Sequence, residues 1–221
     1  MNNIIALMPL KANSSRIPKK NFKSLKGKPL FRWMLDKLLA SNTINQVIIN
    51  TDALTQLEQA GLPEHKKLLV RERKPELCGD EVSMNLVLKD DIDNSAADVY
   101  LMTHTTNPFL SLATIEEAVS AFSAAQNADS LFTVSRMQTR FYDLSCKAIN
   151  HDPDNLVPTQ DLEPWFEENS CMYLFSKESF NKTSARIGAN PMMFETNKLE
   201  SIDIDEPQDW QLAEALAPNF I

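Results

Sequence analysis

The sequence PLKANSSRIPKKNFKSLKGKPL, residues 9–30, decides the fold, because it joins two segments with different hydrophobic periodicity. Residues 4–8, just before it, form a continuous apolar run, which is typical of a short strand buried on both faces. After it, apolar residues recur at helical spacing to about residue 40, and Pro29 suits the first position of a helix. The segment therefore predicts a strand, a loop and a helix in that order.

The loop is strongly basic in a chain whose overall charge is negative. Residues 11–28 contain seven Lys and Arg residues and no Asp or Glu, whereas the whole chain has a net charge of -8. A basic, turn-rich loop before a helix suits a polyanion such as a nucleoside triphosphate. A solvated run of surface charges is the simpler alternative, and the loop by itself is compatible with both interpretations.

Length and composition indicate an ordinary globular domain. The 221 residues are 43% hydrophobic and 24% charged, enough to enclose a sizeable core, and residues 1–221 are interpreted as a single domain. No apolar run approaches the ~20 residues that span a bilayer, and residues 1–3 show no signal-peptide character, so no membrane partner is expected. The negative charge argues against nucleic-acid binding. Cys78, Cys146 and Cys171 form no C-x-x-C pair and predict reduced thiols of a cytoplasmic protein.

Strand and helix patterns alternate along most of the chain. After the first strand, at 3–9, the apolar runs that predict strands lie at 47–49, 68–70, 99–102, 131–134, 172–175 and 199–204. Helical patterns separate the first five strands, and a last helix is expected at 207–217. This order predicts a Rossmann-like α/β fold, with a mostly parallel sheet and helices on both faces.

Ligands of such sheets bind beyond the carboxyl ends of the strands. Loops of unusual composition leave the predicted sheet at that edge, namely the basic loop and residues 50–52, 71–80 and 104–108. The chain lacks the Walker A sequence and the dinucleotide glycine fingerprint, so side chains are expected to contact phosphates. The candidates are Lys11, Arg16 and Lys20 for charge, and Asn13, Ser14 and Asn21 for hydrogen bonds.

A second group of candidates lies near the end of the chain and in the 104–108 loop. In a strand, Asp203 and Asp205 would share one face, and two carboxylates at a strand end suit Mg²⁺. An exposed edge strand, or Asp205 as the cap of the last helix, is the alternative. His104 is either a general base or a structural hydrogen-bonding residue. Thr106 and Asn107 suit a ligand-lining loop, although both are also good turn formers.

Residues 136–168 interrupt the alternation. The segment is polar and proline-containing, and we predict an excursion of extended hairpins and loops outside the main sheet. Phe141, Tyr142, Trp165 and Phe166 would be unusual in a solvated loop, which favours a dimerisation arm. An ordinary long insertion stays open as the alternative.

Several ordered motifs resemble the acylneuraminate cytidylyltransferase (CMP-sialic acid synthetase) family. Residues 9–21 resemble its loop P-A-R-x-x-S-K-x-[IL]-P-x-K-N, with matches at Pro9, Ser14, Pro18, Lys20 and Asn21. The other motifs are G-K-P-L at 27–30, S-T-D at 50–52, R-P-x-E-L-x-x-D at 73–80, T-S-P at 106–108 and S-I-D-I-D at 201–205. The resemblance spans residues 4 to about 210 and favours the metal interpretation of the acidic pair.

The resemblance implies that the anomeric hydroxyl of an acidic, sialic-type sugar attacks the α-phosphate of CTP and releases pyrophosphate. It implies CTP and the sugar as ligands and Mg²⁺ on Asp203 and Asp205. The homodimer is expected from the 136–168 segment. The implied catalytic residues are Lys11, Arg16 and Lys20. The implied nucleotide-binding residues are Lys11, Asn13, Ser14, Arg16, Lys20, Asn21, Arg73 and Ser83. The implied sugar-binding residues are His104, Thr106, Asn107, Arg140 and Tyr173.

The chain departs from the family pattern at several positions. Ser15 stands where the family has lysine, with Arg16 one place later, and Lys11 replaces an arginine. His104 replaces a glutamine, and the region around Arg186 lacks the aromatic pair expected for N-acetylneuraminic acid. Transfer with another nucleotide or a sugar phosphate, and a non-catalytic nucleotide-binding protein, stay open as alternatives.

Overall fold

The computed structural model describes residues 3–220, which contain a main sheet of seven strands with helices packed on both faces. The strands are β1 (Ile4–Leu7), β2 (Ser24–Leu25), β3 (Lys28–Pro29), β4 (Gln46–Thr51), β5 (Leu68–Glu72), β6 (Val99–Thr103), β7 (Ser130–Met137), β8 (Trp165–Phe175) and β9 (Pro191–Glu195). The helices are α1 (Leu30–Ala40), α2 (Leu54–Gln59), α3 (Met84–Asp93), α4 (Leu112–Ala124), α5 (Lys177–Thr183) and α6 (Pro207–Phe220). Short 3₁₀ helices lie at Lys20–Phe22, Pro75–Leu77 and Thr159–Asp161.

The main sheet has the strand order β5-β4-β1-β6-β8-β7-β9. Strand β1 lies inside the sheet, third from the β5 edge, and pairs in parallel with β4 and β6. Strand β8 runs antiparallel to its neighbours β6 and β7. The prediction of a mostly parallel, Rossmann-like sheet is therefore confirmed. Strands β2 and β3 form a separate two-stranded ribbon inside the basic segment, so Pro29 precedes α1 rather than opening it.

The residues of β1 alternate between two hydrophobic cores, as expected for a strand buried on both faces. Ile4 and Ala6 pack in the core that includes α1 and α4, whereas Ile5 and Leu7 pack in the core that includes α3 and α5. The predicted placement of helices on both faces is confirmed. Within residues 3–220, no helix combines the length and the apolar character needed to cross a bilayer.

A third core fixes the position of the basic loop. Trp210, Ala213 and Ala217 of α6 pack against Ile17 and Leu25 of the basic segment. Burial of these side chains is the main force that joins two parts of the chain almost two hundred residues apart. The contact brings the basic loop, which follows β1, next to the residues that precede α6.

The strand predicted at 199–204 is wrong. Residues there form turns and extended chain, and the backbone N–H of Ile204 donates to the carbonyl of Thr106 in a loop rather than to a sheet neighbour. Ile204 is nevertheless buried, in the core built around α6. The last sheet strand is instead β9, which pairs in parallel with β7.

The 136–168 segment leaves the main sheet on a two-stranded stem. Strands β7 and β8 continue their pairing to Met137 and Trp165, so the excursion proper is shorter than expected and spans residues 138–164. Phe141 stacks on Trp165 with ring centroids 5.3 Å apart. Tyr142, Leu144 and Phe166 are exposed. Dimerisation through this segment stays a prediction, which the exposed apolar side chains favour.

Candidate functional site

A cavity of about 410 Å³ opens at the carboxyl ends of the parallel strands, where ligands of such sheets bind. The basic loop forms one wall and residues 73–87 a second; the segments after β6 and before α6 and Ser170 of β8 form the remainder. The predicted site residues that line it are Lys11, Ser14, Arg16, Lys20, Asn21, Arg73, His104, Thr106, Asp203 and Asp205. Residues from five separate parts of the sequence therefore meet at one place.

Other predicted residues lie outside this cavity. Asn13 is exposed on the basic loop, and Asn107 is buried, with its side-chain Nδ2 donating to the carbonyl of Ile202 at 3.4 Å. Arg140 lies in the arm, where its Nη2 donates to the carbonyl of Val157 at 2.7 Å. The fold thus keeps Arg140 of this chain away from its own cavity.

Ser83 and Tyr173 contact a second cavity or its walls. Ser83 caps α3, because its hydroxyl accepts from the backbone N–H of Asn85 at 3.3 Å, and it lines the second cavity. Tyr173 is buried in β8; its hydroxyl donates to the Glu168 carboxylate and lies 3.0 Å from the Ser170 hydroxyl. Neither residue lines the first cavity.

Two cations of the basic loop hold the carboxylate of Asp205. The Lys20 Nζ lies 2.8 Å from Asp205 Oδ1, and the Arg16 Nη2 lies 2.9 Å from Oδ2. Lys20 also donates to the carbonyl of Ile204 at 2.6 Å, and its side chain is only 9% exposed. Burial alone would raise the pKa of Asp205, yet the hydrogen bond and charge of Lys20, together with Arg16, lower it. Asp205 therefore stays ionised across the neutral range.

A further ion pair crosses the mouth of the cavity. Lys11 Nζ donates to Asp80 Oδ1 at 2.5 Å and joins the basic loop to the loop after β5. The hydrogen bond from Lys11 and its charge lower the pKa of Asp80. Both side chains are largely exposed, so solvent screens the pair and a phosphate can displace the carboxylate.

Asp203 differs from Asp205 because one of its oxygens lacks a partner. Its Oδ1 is buried, and no hydrogen-bond partner for it lies within residues 3–220. Burial raises the pKa of Asp203, whereas a hydrogen bond from Thr106 lowers it. A buried acceptor without a partner is costly, which points to a ligand that completes its coordination.

Asn21 and His104 complete the inner wall. The Asn21 amide is used within the protein: Nδ2 donates to the carbonyl of Lys11 at 2.9 Å and Oδ1 accepts from Thr105 at 2.6 Å. Asn21 therefore fixes the shape of the basic loop. Burial and the charge of Arg186 lower the pKa of His104 to about 4. At neutral pH its imidazole is neutral and a weak base, which favours a hydrogen-bonding role over general-base catalysis.

The second cavity, of about 390 Å³, adjoins the first, and Met84 lines both. Its polar residues include Glu168 and Arg186, neither of which was selected from the sequence as a site residue. The Arg186 guanidinium lies 4.2 Å from the centre of the Tyr173 ring, and its Nη2 is 3.8 Å from the Glu168 carboxylate. For Arg186 the sequence signal was the absence of the family's aromatic pair near that position, and for Glu168 there was none.

The fold and the cavity together define an α/β protein with a cavity in which side-chain cations face a pair of carboxylates. The Cytidylyltransferase family model matches residues 5–219, and the chain belongs to that family. The resemblance predicted from the motifs is thereby confirmed.

Individual relatives agree with this assignment. The chain is 29% identical to N-acylneuraminate cytidylyltransferase A of Danio rerio, over 99% of this chain and 51% of the relative. It is 27% identical to CMP-N,N'-diacetyllegionaminic acid synthase of Legionella pneumophila, over 96% of this chain and 95% of the relative. The chain thus spans about half the length of the fish protein and nearly all of the bacterial one.

The fold also matches that of a solved structure. The structure of CMP:2-keto-3-deoxy-manno-octonic acid synthetase complexed with CTP superposes with a TM-score of 0.69, covering 99% of this chain and 100% of the other. The two sequences are 14% identical, so this likeness concerns the fold alone.

Proposed function

We propose that this chain transfers CMP from CTP to a hydroxyl of an acidic, sialic-type sugar and releases pyrophosphate. The observation that carries the proposal is the meeting of Lys11, Arg16 and Lys20 with Asp203 and Asp205 in one cavity. Membership of the cytidylyltransferase family and the names of the two relatives support CTP and an acidic sugar as the substrates.

In the proposed reaction, the sugar oxygen forms a bond to the α-phosphorus, and the bond from that phosphorus to the bridging oxygen of the β-phosphate breaks. The hydroxyl proton leaves to solvent, and pyrophosphate carries away the electron pair of the broken bond. Such a transfer depends mainly on positioning and on charge neutralisation. Lys11, Arg16 and Lys20 would supply both, by exchanging their present carboxylate partners for phosphate oxygens.

Mg²⁺ fits the acidic pair. The buried Asp203 Oδ1 lacks a partner within the described residues, and carboxylate oxygen is a ligand that Mg²⁺ prefers. Residues 3–220 contain no group of three or more His, Cys, Asp or Glu residues that could hold a metal ion, so phosphates and water would complete the shell of Asp203 and Asp205. When bound, the ion would neutralise charge on the phosphate under attack.

We assign the sugar to the second cavity, which adjoins the nucleotide cavity at Met84. Arg186 would provide N–H donors for the sugar carboxylate, because arginine matches the planar geometry of a carboxylate. Glu168 would accept hydrogen bonds from sugar hydroxyls or amides. His104, which is neutral at neutral pH, lies in the first cavity and would accept or donate a hydrogen bond at the junction.

We also propose that the protein is a homodimer held by the 138–164 arm and that it acts in the cytoplasm. Exposed apolar side chains support the first proposal, among them Leu144 on the arm and Phe166 on the β8 strand of its stem. The free thiols of Cys78, Cys146 and Cys171 fit the second.

Two measurements test the proposed function. Thermal unfolding is measured with CTP, ATP, GTP or UTP, each with Mg²⁺, and we expect CTP to give the largest stabilisation. Pyrophosphate release is then measured with CTP and N-acetylneuraminic acid, N,N'-diacetyllegionaminic acid or 3-deoxy-manno-octulosonate. Stabilisation by CTP without release from any sugar would favour a non-catalytic nucleotide-binding protein. A larger effect of another nucleotide would point to a different transfer reaction.

A further inference from the structure

Arg73 lines the first cavity, is almost fully buried, and has neutral hydrogen-bond partners, whereas the equally buried Lys20 pairs with Asp205. The Arg73 side chain comes from the loop after β5, and the residue is 7% exposed. Its Nε donates to the Asn50 side-chain Oδ1 at 2.9 Å, and its Nη2 donates to the Asn50 carbonyl at 2.8 Å and to the Leu10 carbonyl at 3.3 Å. Within residues 3–220, no hydrogen-bond partner is found for Nη1. Three contacts therefore fix the guanidinium plane and leave one edge for a ligand.

The Asn50 amide reaches Arg73 in one orientation only, because a guanidinium donates hydrogen bonds and accepts none. Asn50 is fully buried at the end of β4, and its other group, Nδ2, donates to Asp91 Oδ1 at 2.8 Å. An amide rotated by half a turn would place its NH₂ group against Arg73 and its oxygen against a carboxylate. The Asp91 acceptor thus selects the orientation that Arg73 needs.

Asp91 is itself held in place from the neighbouring strand. It is 1% exposed on α3, and Arg71 of β5 donates from Nη1 to the same oxygen, Oδ1. The adjacent Asp90 accepts from Arg71 Nη2 at 3.0 Å and pairs with Lys74 at 2.6 Å, but it does not contact Asn50. Hydrogen bonds therefore run from α3 through β4 to the nucleotide cavity.

We propose that Asn50 and Asp91 are positioning residues that orient Arg73 for the nucleotide. Neither residue lines the cavity, so each acts through Arg73. The proposal rests on the proposed function for the identity of the ligand, CTP, and on the contacts above for the orientation of Arg73. Misdirecting one hydrogen-bonded cation is expected to weaken CTP binding by about 10- to 100-fold, the range for loss of a charge-assisted hydrogen bond.

The test exchanges the two side chains. Asn50→Asp places two carboxylates at the 2.8 Å contact, which the fold accommodates by moving the side chain that holds Arg73 or by binding a proton between the two carboxylates. Measurement at pH 8 and above disfavours the shared proton, so all variants are compared there. The double variant Asn50→Asp with Asp91→Asn restores a donor opposite an acceptor and keeps an acceptor for Arg73, although Arg71 Nη1 loses its acceptor at residue 91. Asp90→Asn is the matched control, because it alters the other ion pair of Arg71 and does not contact Asn50.

Two readouts are taken for each variant. CTP affinity is measured by calorimetry with Mg²⁺, and the Arg73 Nε–H signal is observed by ¹H–¹⁵N NMR without nucleotide and assigned by its loss in Arg73→Lys. We expect weaker binding and a shifted or broadened signal in Asn50→Asp. The double variant should regain affinity to within about threefold of the unmutated chain, and Asp90→Asn should leave both readouts unchanged, since neither loses the hydrogen bond to Arg73.

Wild-type affinity in a folded Asn50→Asp, or failure of a folded double variant to regain affinity and signal, would overturn the proposal. Should Asn50→Asp not fold, Asp91→Ala and Asp90→Ala decide, because only the former removes the acceptor of Asn50 Nδ2 and should disturb the Arg73 signal. Equal behaviour of these two variants would overturn the proposal. A chain that does not bind CTP would refute the proposed function alone, since the signal is read without nucleotide.

Discussion

Asp203→Asn is expected to stabilise the folded protein while removing most of its activity. Asp203 is mostly buried, its Oδ1 lacks a partner within the described residues, and burial raises its pKa. Asparagine has nearly the same shape and no charge, so the substitution removes the cost of a buried carboxylate without creating a cavity. The same carboxylate is the group proposed to bind Mg²⁺, so activity and stability should change in opposite directions.

The expected gain in the free energy of unfolding follows from Asp203 Oδ1, the oxygen without a hydrogen-bond partner within the described residues. A buried polar group that loses its hydrogen bonds costs about 1–3 kcal/mol, and the asparagine amide keeps part of that cost. We therefore expect the free energy of unfolding to rise by about 1 kcal/mol, which raises the melting temperature of a domain of this size by about 2–4 °C. Activity should fall about 100-fold or more, because an ion that neutralises transition-state charge contributes several kcal/mol.

The stability gain should depend on pH with a defined sign. The folded-state pKa of Asp203 lies above its ordinary value of 3.8, so the folded state binds the proton more tightly than the unfolded state. The cost of the carboxylate is therefore absent below 3.8 and grows as the pH rises through the folded-state pKa. The difference between Asp203→Asn and the unmutated chain should be largest at neutral pH and vanish in acid.

Denaturant unfolding without metal or nucleotide, from pH 4 to pH 8, measures this difference, and pyrophosphate release measures activity. Asp154→Asn, which changes an exposed carboxylate in the arm, is the matched control and should alter neither. A less stable Asp203→Asn at neutral pH would refute the reasoning, because it would mean that the carboxylate has partners in the folded protein.

Three further predictions concern other parts of the molecule. Lys20→Met should lower the rate of pyrophosphate release by about 100- to 1,000-fold, as for loss of a preorganised charge, whereas Lys19→Met, beside it and exposed, should have little effect. Burial raises the pKa of Asp91 to about 6 from 3.8, so its contribution to stability should fall as the pH rises from 4 to 6, by about 3 kcal/mol, and Asp91→Asn should remove this dependence in denaturant titrations. Phe166→Arg should convert a dimer to a monomer in light scattering, whereas Leu212→Arg on α6, equally exposed, should not; a monomeric unmutated chain would contradict the proposed dimer.

Local patterns in the sequence were sufficient for most of the fold. The apolar run at 4–8 and the helical spacing after Phe31 are strong periodic signals, and the structure has β1 and α1 there. The alternation I-D-I-D at 202–205 also resembles a strand, but Ile204 bonds to a loop carbonyl and packs against α6 instead. Strand β9 was missed because Pro191 and two methionines carry little β-propensity, and its pairing with β7 decides its conformation.

The sequence predicted those site residues that lie in ordered motifs. It could not predict the contacts that depend on how distant segments pack together. The basic loop and the acidic pair could be chosen from sequence, but not the 2.8 Å contact of Lys20 with Asp205, which depends on the packing of α6. Asp91 gave no signal, because a single carboxylate on a helix usually faces solvent. Its burial results from the packing of α3 against the sheet, which no local pattern encodes.

The most direct test of the central claim is ³¹P NMR of CTP, Mg²⁺ and the purified chain with each of the three sugars named above. The account predicts that, with at least one sugar, the CTP signals disappear while one phosphodiester signal and the signal of pyrophosphate appear in equal amounts. It also predicts that Lys20→Met slows this conversion. Unchanged CTP with every sugar, in a sample whose folded protein binds CTP, would contradict the account, and so would release of inorganic phosphate in place of pyrophosphate.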